Sequence, residues 1–396
     1  MTPSPFRWVV ISVLILATAL NYLDRQLLAA LAPSLKSQFH LSNEQYGLVL
    51  LAFSLAYAAT APIAGLVIDR IGLTAGMSLA VAGWSTAGML TGLVASFPAL
   101  LACRGALGGT EAAAIPAFGK ANALYLPPRE FALGTAVNQI GISIGGIAAP
   151  LIAASVATLY GWRAAFVACG AAGLLWIPFW LYTARRIPSR VEVESAETHG
   201  TNNMLRDRRF WGLVLANLLY MTMYTLWTNW TTLFFVEARG MTQADANARL
   251  AWIPPVFATA GGLAGGALAF RTIRAGVEPF AARMRICWIS AILLLSTAAV
   301  PFMPTAGWAA AAISFSYFCT LAMSTNVYAM PIDFFGPERA AFGVSALTFA
   351  YGLMQAAVSP LIGRMIDSYG FTSVCVSFSI LPLLAVVVLH ITGRQQ

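Results

Sequence analysis

Apolar residues in this chain come in long runs that charge almost never interrupts. Uncharged stretches cover residues 8–23, 46–68, 71–103, 131–162, 164–184, 210–236, 250–270, 286–332, 340–363 and 368–393. A helix needs ~20 apolar residues to cross a bilayer, so two of these runs are too long for one span. The run 71–103 breaks at Ser96-Phe97-Pro98 and the run 286–332 breaks between Pro301 and Pro304, both turn signals. The stretch 100–126 is apolar but carries Arg104, Glu111 and Lys120. The pattern predicts twelve helices, near 7–32, 45–68, 74–95, 98–124, 131–156, 163–184, 210–236, 246–270, 284–301, 306–331, 340–363 and 371–391.

Composition narrows the class. Hydrophobic residues make up 59% of the 396 residues and charged ones 10%, with mean hydropathy +0.74. Soluble domains carry about 25% charge, so a soluble enzyme, a disulfide scaffold and a disordered chain are excluded. A barrel of short alternating strands would not give long uncharged runs. The fold class is an all-α polytopic membrane protein. Cys103, Cys169, Cys287, Cys319 and Cys375 lie scattered through apolar stretches without metal spacing and are assigned to helix packing. Residues 1–7 lead into the first apolar run without a small-residue cleavage site, which reads as a first span and not as a removed signal.

The net charge of +8 reads as topology. With the N-terminus inside, sixteen of the 23 Lys and Arg fall on the cytoplasmic side, among them Arg70, Arg129, Arg190 and Arg394. Five fall outside (Lys36, Arg163, Arg239, Arg249 and Arg364) and two within the membrane. Basic residues are retained in cytoplasmic loops, so both termini are expected there. The polar segment 185–209 mixes both charge signs and is expected to be a solvated linker between a six-helix bundle, 1–184, and a second, 210–396. The halves echo each other. Pro128-Arg129-Glu130 followed by Gly134 recurs 209 residues later as Pro337-Glu338-Arg339 followed by Gly343, and Tyr160-Gly161 recurs as Tyr369-Gly370. Parallel six-helix repeats are the major-facilitator plan, two bundles related by a pseudo-two-fold axis with the substrate site between them.

Asp24, Arg25, Arg104 and Glu111 are the formal charges that lie deep inside the predicted helices, away from their ends, all on helices 1 and 4. A charge at the bilayer centre costs at least ~2.5 kcal/mol, so each calls for a reason. Arg104 and Glu111 are two turns apart on one face, whereas Asp24 and Arg25 point about 100° apart. One of that pair can face helix 4 while the other faces a central cavity shared with Asn21 and Tyr22. One reading is that Asp24–Arg104 and Arg25–Glu111 are neutral pairs that lock two helices. The other is functional: a guanidinium can hold a carboxylate in bidentate fashion, and a desolvated carboxyl can load and release a proton. With both acids protonated the site carries +2 and attracts an anion; with both ionised it is neutral.

Further cavity candidates are Asn138 and Gln139 on helix 5, Tyr220, Tyr224 and Trp227 on helix 7, and Ser324 and Asn326 on helix 10. Aromatic stripes are more often packing, and the amides are better candidates because a buried amide needs hydrogen-bond partners. Gly105, Gly108 and Gly109, and Gly261, Gly262, Gly265 and Gly266, read as close helix contacts.

At these residues the chain resembles the anion:cation symporter family of the major facilitator superfamily, and within it the hexuronate-transporter branch. The resemblance rests on Asn21-Tyr22-Leu23-Asp24-Arg25-Gln26, Arg104-Gly105 with Glu111, Ala251-Trp252-Ile253-Pro254-Pro255 through Gly265-Gly266, and Ser324-Thr325-Asn326-Val327-Tyr328 before Asp333-Phe334-Phe335. It implies proton-driven uptake of an organic anion such as a hexuronate or aldonate. The substrate carboxylate would lie near Arg25, with Tyr22, Gln139, Ser324 and Asn326 around the substrate. Asp24 and Glu111 become proton sites, with Arg104 tuning Glu111. The only coupling ion is then the proton, with no other cofactor, and the partners are a small organic anion and the lipid of an inner membrane, not nucleic acid; a monomer is expected. Gly65, Asp69, Arg70 and Gly72 match the superfamily gating motif, but Leu73-Thr74 stand where basic residues are usual. Met323 replaces an expected tryptophan, Phe270 an expected acid, and helix 11 is bulkier than expected at 345–351. These departures leave an aromatic or short-chain carboxylate, or anion exchange, as alternatives.

Phosphate exchange would want basic residues on helix 7, which has none, and multidrug efflux would not want a fixed Arg25. No His–Cys–acid cluster supports a membrane-embedded enzyme. The topology makes a direct prediction: single cysteines at 190 and 239 react with impermeant labels from opposite sides of the membrane, and labelling of both from one side would overturn the map.

Overall fold

A computed structural model describes residues 6–127, 130–187 and 202–393. Pro128, Arg129, Arg190, Arg394 and most of the predicted linker lie outside the described residues, as do the side chains of Pro337 and Glu338. The described chain is helical: α1 Arg7–Ala30, α2 Ala32–Phe39, α3 Asn43–Ile71, α4 Leu73–Thr91, α5 Phe97–Glu111, α6 Ala114–Tyr125, α7 Phe131–Tyr160, α8 Trp162–Arg186, α9 Asn202–Leu205, α10 Arg208–Leu233, α11 Gln243–Asp245, α12 Ile253–Arg274, α13 Pro279–Leu294, α14 Ala306–Val327, α15 Met330–Phe335, α16 Pro337–Ser379 and α17 Leu381–Gly393. Single π turns occupy Phe234–Ala238 and Ala246–Ala251, and a 3₁₀ segment occupies Leu295–Phe302. Among the described residues, nine helical stretches are long and apolar enough to cross a membrane. We read the other traversals of the expected twelve in α4, in the broken pair α5–α6, and in the last stretch, where Gly370 at φ 72°, ψ 178° turns the chain between two helices.

Proline and capping chemistry explains where the boundaries depart from expectation. Helix 1 was expected to reach residue 32, but Pro33 has no N–H to continue the ladder, and α2 starts a new helix. Helix 4 was expected to run unbroken over 98–124. It breaks after Glu111 because the Pro116 ring opposes the carbonyl of residue 112, four positions earlier. Helix 9 starts at Pro279, before the expected 284, because the Glu278 carboxylate accepts hydrogen bonds from Phe280 N (3.0 Å) and Ala281 N (2.7 Å). The end of the segment expected to be a solvated linker is packed. Met204 in α9 is buried, and Trp211 Nε1 donates to Leu205 O at 2.8 Å. Asp207 caps α10, accepting from Arg209 N at 2.8 Å, and the hydrogen-bonded Arg209 guanidinium holds its carboxyl below the usual carboxylate range.

The chain divides into two compact units. The first comprises Met1–Leu41, Leu48–Ala196 and Gln243–Ala248; the second comprises Ser42–Gly47, Glu197–Thr242 and Arg249–Gln396. Core residues of the first include Leu14, Phe53, Val81, Trp84, Leu107, Trp176 and Trp180. Those of the second include Leu213, Tyr220, Cys287, Met323, Leu347 and Leu389. Four of the five cysteines are buried and Cys103 is half-buried, all as free thiols. The sequence echo has local counterparts. Gly161 and Gly370, 209 residues apart, both turn the chain at positive φ (83° and 72°) with ψ 159° and 178°. Ser96 and Thr305, also 209 apart, are both N-caps, accepting from Ala99 N at 3.4 Å and Trp308 N at 3.3 Å.

Glycine lets helices touch at the backbone where the apolar pattern alone would keep them further apart. A Cβ at Gly108 on α5 would collide with the Phe53 carbonyl of α3 in the first unit, and one at Gly261 on α12 with the Phe318 carbonyl of α14 in the second. Gly108→Ala is expected to lose about 1–3 kcal/mol by overpacking. Gly119→Ala, where a Cβ meets nothing within 4 Å, should be neutral or up to ~1 kcal/mol stabilising. Thermal unfolding of both purified variants checks the contrast.

Candidate functional site

The first unit brings three of its four intramembrane charges against one aromatic side chain or one another. Arg25 on α1 donates from Nη2 to Glu111 Oε2 at 2.8 Å and from Nε to the same oxygen at 3.1 Å. The Arg25 side chain is 19% exposed while that of Glu111 is 0% exposed, so the acid is sealed and the guanidinium has one open side. Three rings surround it: its Cζ lies 4.7 Å from the Phe53 centroid, 5.0 Å from Tyr22 and 5.2 Å from Tyr57. Arg104, two turns before Glu111 on α5, is buried with its Cζ 5.2 Å from the same Phe53 ring. The break in helix 4 directly follows Glu111, which ends α5. Asn21 is buried beside the Glu111 carboxylate.

Asp24 points elsewhere, as adjacency to Arg25 on a helix requires. Its carboxylate faces α4, where a Cβ at Gly88 would stand 3.7 Å away, and it is 2% exposed. Neither of its oxygens accepts a hydrogen bond from a described residue. The expected Asp24–Arg104 pair is therefore not made as a hydrogen-bonded bridge, whereas Arg25–Glu111 is. A pair of locks on helices 1 and 4 reduces to one, and a second acid lies buried beside it.

Of the helix 5 amides, Asn138 Oδ1 accepts from Thr18 Oγ1 at 2.7 Å, which ties α7 to α1, and Gln139 is exposed. A Cβ at Gly141 would stand 2.7 Å from Ile15 O, which is why α1 and α7 lie so close. In the second unit, several expected substrate contacts are committed to packing. Trp227 Nε1 donates to Ser316 Oγ at 3.0 Å. Asn326 Nδ2 donates to Ala322 O at 2.9 Å and Gly265 O at 3.3 Å, because its helix face turns towards the glycines of α12. Tyr220 is fully buried, and Ser324 is buried. Tyr224 is half-buried, 5.4 Å from the Tyr317 ring and 5.8 Å from the Tyr351 ring.

The gating motif closes α3. Gly72 at φ 83° makes the turn into α4, a conformation that favours glycine. Lys120 Nζ on α6 donates to Asp69 Oδ1 at 3.0 Å and Ile68 O at 3.1 Å. A lysine from a neighbouring helix thus supplies the cation that positions 73–74 lack. The sequence marks Lys120 only as a charge in the apolar stretch 100–126, and it does not single out Phe53 or Tyr57. Their signal was available: aromatics four residues apart share one helix face.

A family model for the Major Facilitator Superfamily matches residues 14–359. The chain belongs to the Major Facilitator Superfamily. It is a multi-pass membrane transporter and not an enzyme. It is 27% identical over 402 residues to the hexuronate transporter of Escherichia coli (strain K12), covering 97% of this chain and 93% of that protein. It is 32% identical over 278 residues to the galacturonate transporter of Dickeya chrysanthemi, covering 66% of this chain and 80% of that one. These relatives agree with the likeness to the hexuronate-transporter branch. The fold matches the crystal structure of a bacterial homologue of the human lysosomal transporter Spinster in an inward-facing, occupied conformation, with TM-score 0.81 at 20% identity, over 100% of this chain and 98% of that one.

Removing one member of a buried ion pair leaves the other uncompensated, at about 3–5 kcal/mol. Glu111→Leu should therefore destabilise the transporter by that order. Glu111→Gln, which keeps the side-chain volume and a polar group in the same place, should cost less than half as much. Thermal unfolding of the two variants in one detergent measures the difference.

Proposed function

We propose that this transporter is a proton-coupled symporter that imports an organic carboxylate of the sugar-acid class, a hexuronate or aldonate, by alternating access. It would reside in the inner membrane as a monomer with cytoplasmic termini. The observation that carries the reading is the Arg25–Glu111 pair, with a sealed acid, a partly open guanidinium and three aromatic faces around it. Glu111 and a substrate carboxylate want the same fork of N–H donors. When Glu111 takes a proton it loses its charge, and Arg25 is released to hold the substrate. When substrate leaves, ionised Glu111 reclaims Arg25. Proton and anion thus occupy the site together or not at all, which is the logic of symport. Asp24, buried and without a hydrogen-bond donor among the described residues, is the second proton site, with Arg104 close to the same ring system. The names of the hexuronate and galacturonate relatives support the choice of substrate class.

Counterflow of labelled galacturonate in proteoliposomes tests the substrate, and absence of counterflow with hexuronates and aldonates would reject it. Arg25→Lys keeps the charge but loses the fork, so apparent affinity should fall at least tenfold. Asp24→Asn and Glu111→Gln should each lose pH-driven accumulation, while at least one keeps exchange, because a neutral amide mimics the protonated acid but releases no proton. A stable double variant that still concentrates substrate down a pH gradient would rule out coupling through these acids.

A further inference from the structure

Phe53 is a core residue of the first unit whose ring also meets two cations. Its ring centroid lies 4.7 Å from the Arg25 guanidinium carbon and 5.2 Å from that of Arg104. Two cations therefore share one aromatic ring inside an apolar bundle, where like charges repel strongly. The negative face of an aromatic ring attracts a cation within about 6 Å of its centroid, more so away from water. The ring lies in packed surroundings. Phe53 is 4% exposed, its carbonyl is pinned by the close approach of Gly108, and it stacks on Tyr57 at 6.0 Å with an interplanar angle of 28°.

We propose that Phe53 is a positioning residue, which keeps the Arg25 guanidinium presented for a carboxylate whenever Glu111 does not hold it. The proposal rests on Arg25 being the substrate clamp. In the ion-paired state, Glu111 fixes Arg25 with two hydrogen bonds to one oxygen. Once those bonds are gone, a long flexible side chain beside a second guanidinium would swing away from it. The Phe53 face, with Tyr22 and Tyr57, replaces the lost carboxylate by an attraction that carries no net charge, so it does not compete with an incoming anion for the N–H fork. Because the same ring also attracts Arg104, it offsets part of the repulsion between the two cations and keeps both in place.

The experiment replaces Phe53 with progressively fluorinated phenylalanines, which drain the ring face of negative charge and leave its shape nearly intact. Phe53→Leu removes the face and Phe53→Trp strengthens it. Binding of labelled galacturonate to the purified full-length transporter is measured for each, in the wild-type and in the Glu111→Gln background, beside thermal unfolding and an Arg25→Lys control. The expected result is an affinity that falls stepwise with fluorination, by roughly tenfold at full fluorination. The loss should be larger in the Glu111→Gln background, equalled by Leu, and relieved by Trp, with little change in unfolding temperature across the fluorinated series. If Phe53 merely packs, fluorination leaves affinity flat in both backgrounds while Leu lowers stability, and the proposal fails although the clamp stands. If Arg25→Lys binds galacturonate as wild type does, the clamp itself fails.

Discussion

The cost of holding charge in an apolar bundle governs the first unit. Arg25 is always cationic, so the fold must neutralise it, surround it with polarisable faces, or leave it a path to water. It does some of each: Glu111 at 2.8 Å, three rings within about 5 Å, and one partly open side. Each provision constrains another element. Glu111 must end α5 facing α1, Gly108 must let α3 close on α5, and Phe53 and Tyr57 must share one face of α3. The break after Glu111 follows from Pro116, so the backbone irregularity and the charged site are neighbours along the same helix.

Asp24 and Arg25 illustrate how one peptide bond divides two chemistries. Their 100° separation sends one side chain towards α4 and the other towards α3 and α5. Asp24 ends up against Gly88 with no donor, and Arg25 ends up with more partners than it needs. A transporter gains from such asymmetry. An acid satisfied by hydrogen bonds gains little from a proton, and a buried acid without donors gains more, so the two carboxyls of this site stand in different surroundings, as the proposed coupling requires.

The second unit solves a different problem with the same helical grammar. Its polar side chains are mostly spent on the backbone or on each other: Asn217 on Leu347 O, Asn326 on Ala322 O and Gly265 O, Trp227 on Ser316. Glycines at 261 and 265 bring α12 against α14, as Gly108 brings α5 against α3 in the first unit, although the glycine sits on the other partner of the corresponding pair. The repeat therefore preserves caps and turns, such as Ser96 with Thr305 and Gly161 with Gly370, while the interior chemistry has diverged.

The helix map, the two-half plan and the quartet Asp24, Arg25, Arg104 and Glu111 were legible in the residues alone. Hydrophobic run length and the expense of intramembrane charge act locally and leave a mark in any one sequence. Helix ends were legible only to within a few residues, because Pro33, Pro116 and the Glu278 cap act on backbone geometry that hydropathy does not see. Partner choice was not legible. Spacing allowed Asp24 to meet Arg104 and Arg25 to meet Glu111, and only the packing of the helices made one hydrogen-bonded bridge and withheld the other. The aromatic box around Arg25 and the Lys120 brace on Asp69 belong to the same class. Each joins residues from different helices, and a contact between helices depends on their distance and rotation, which no periodicity along a single helix encodes.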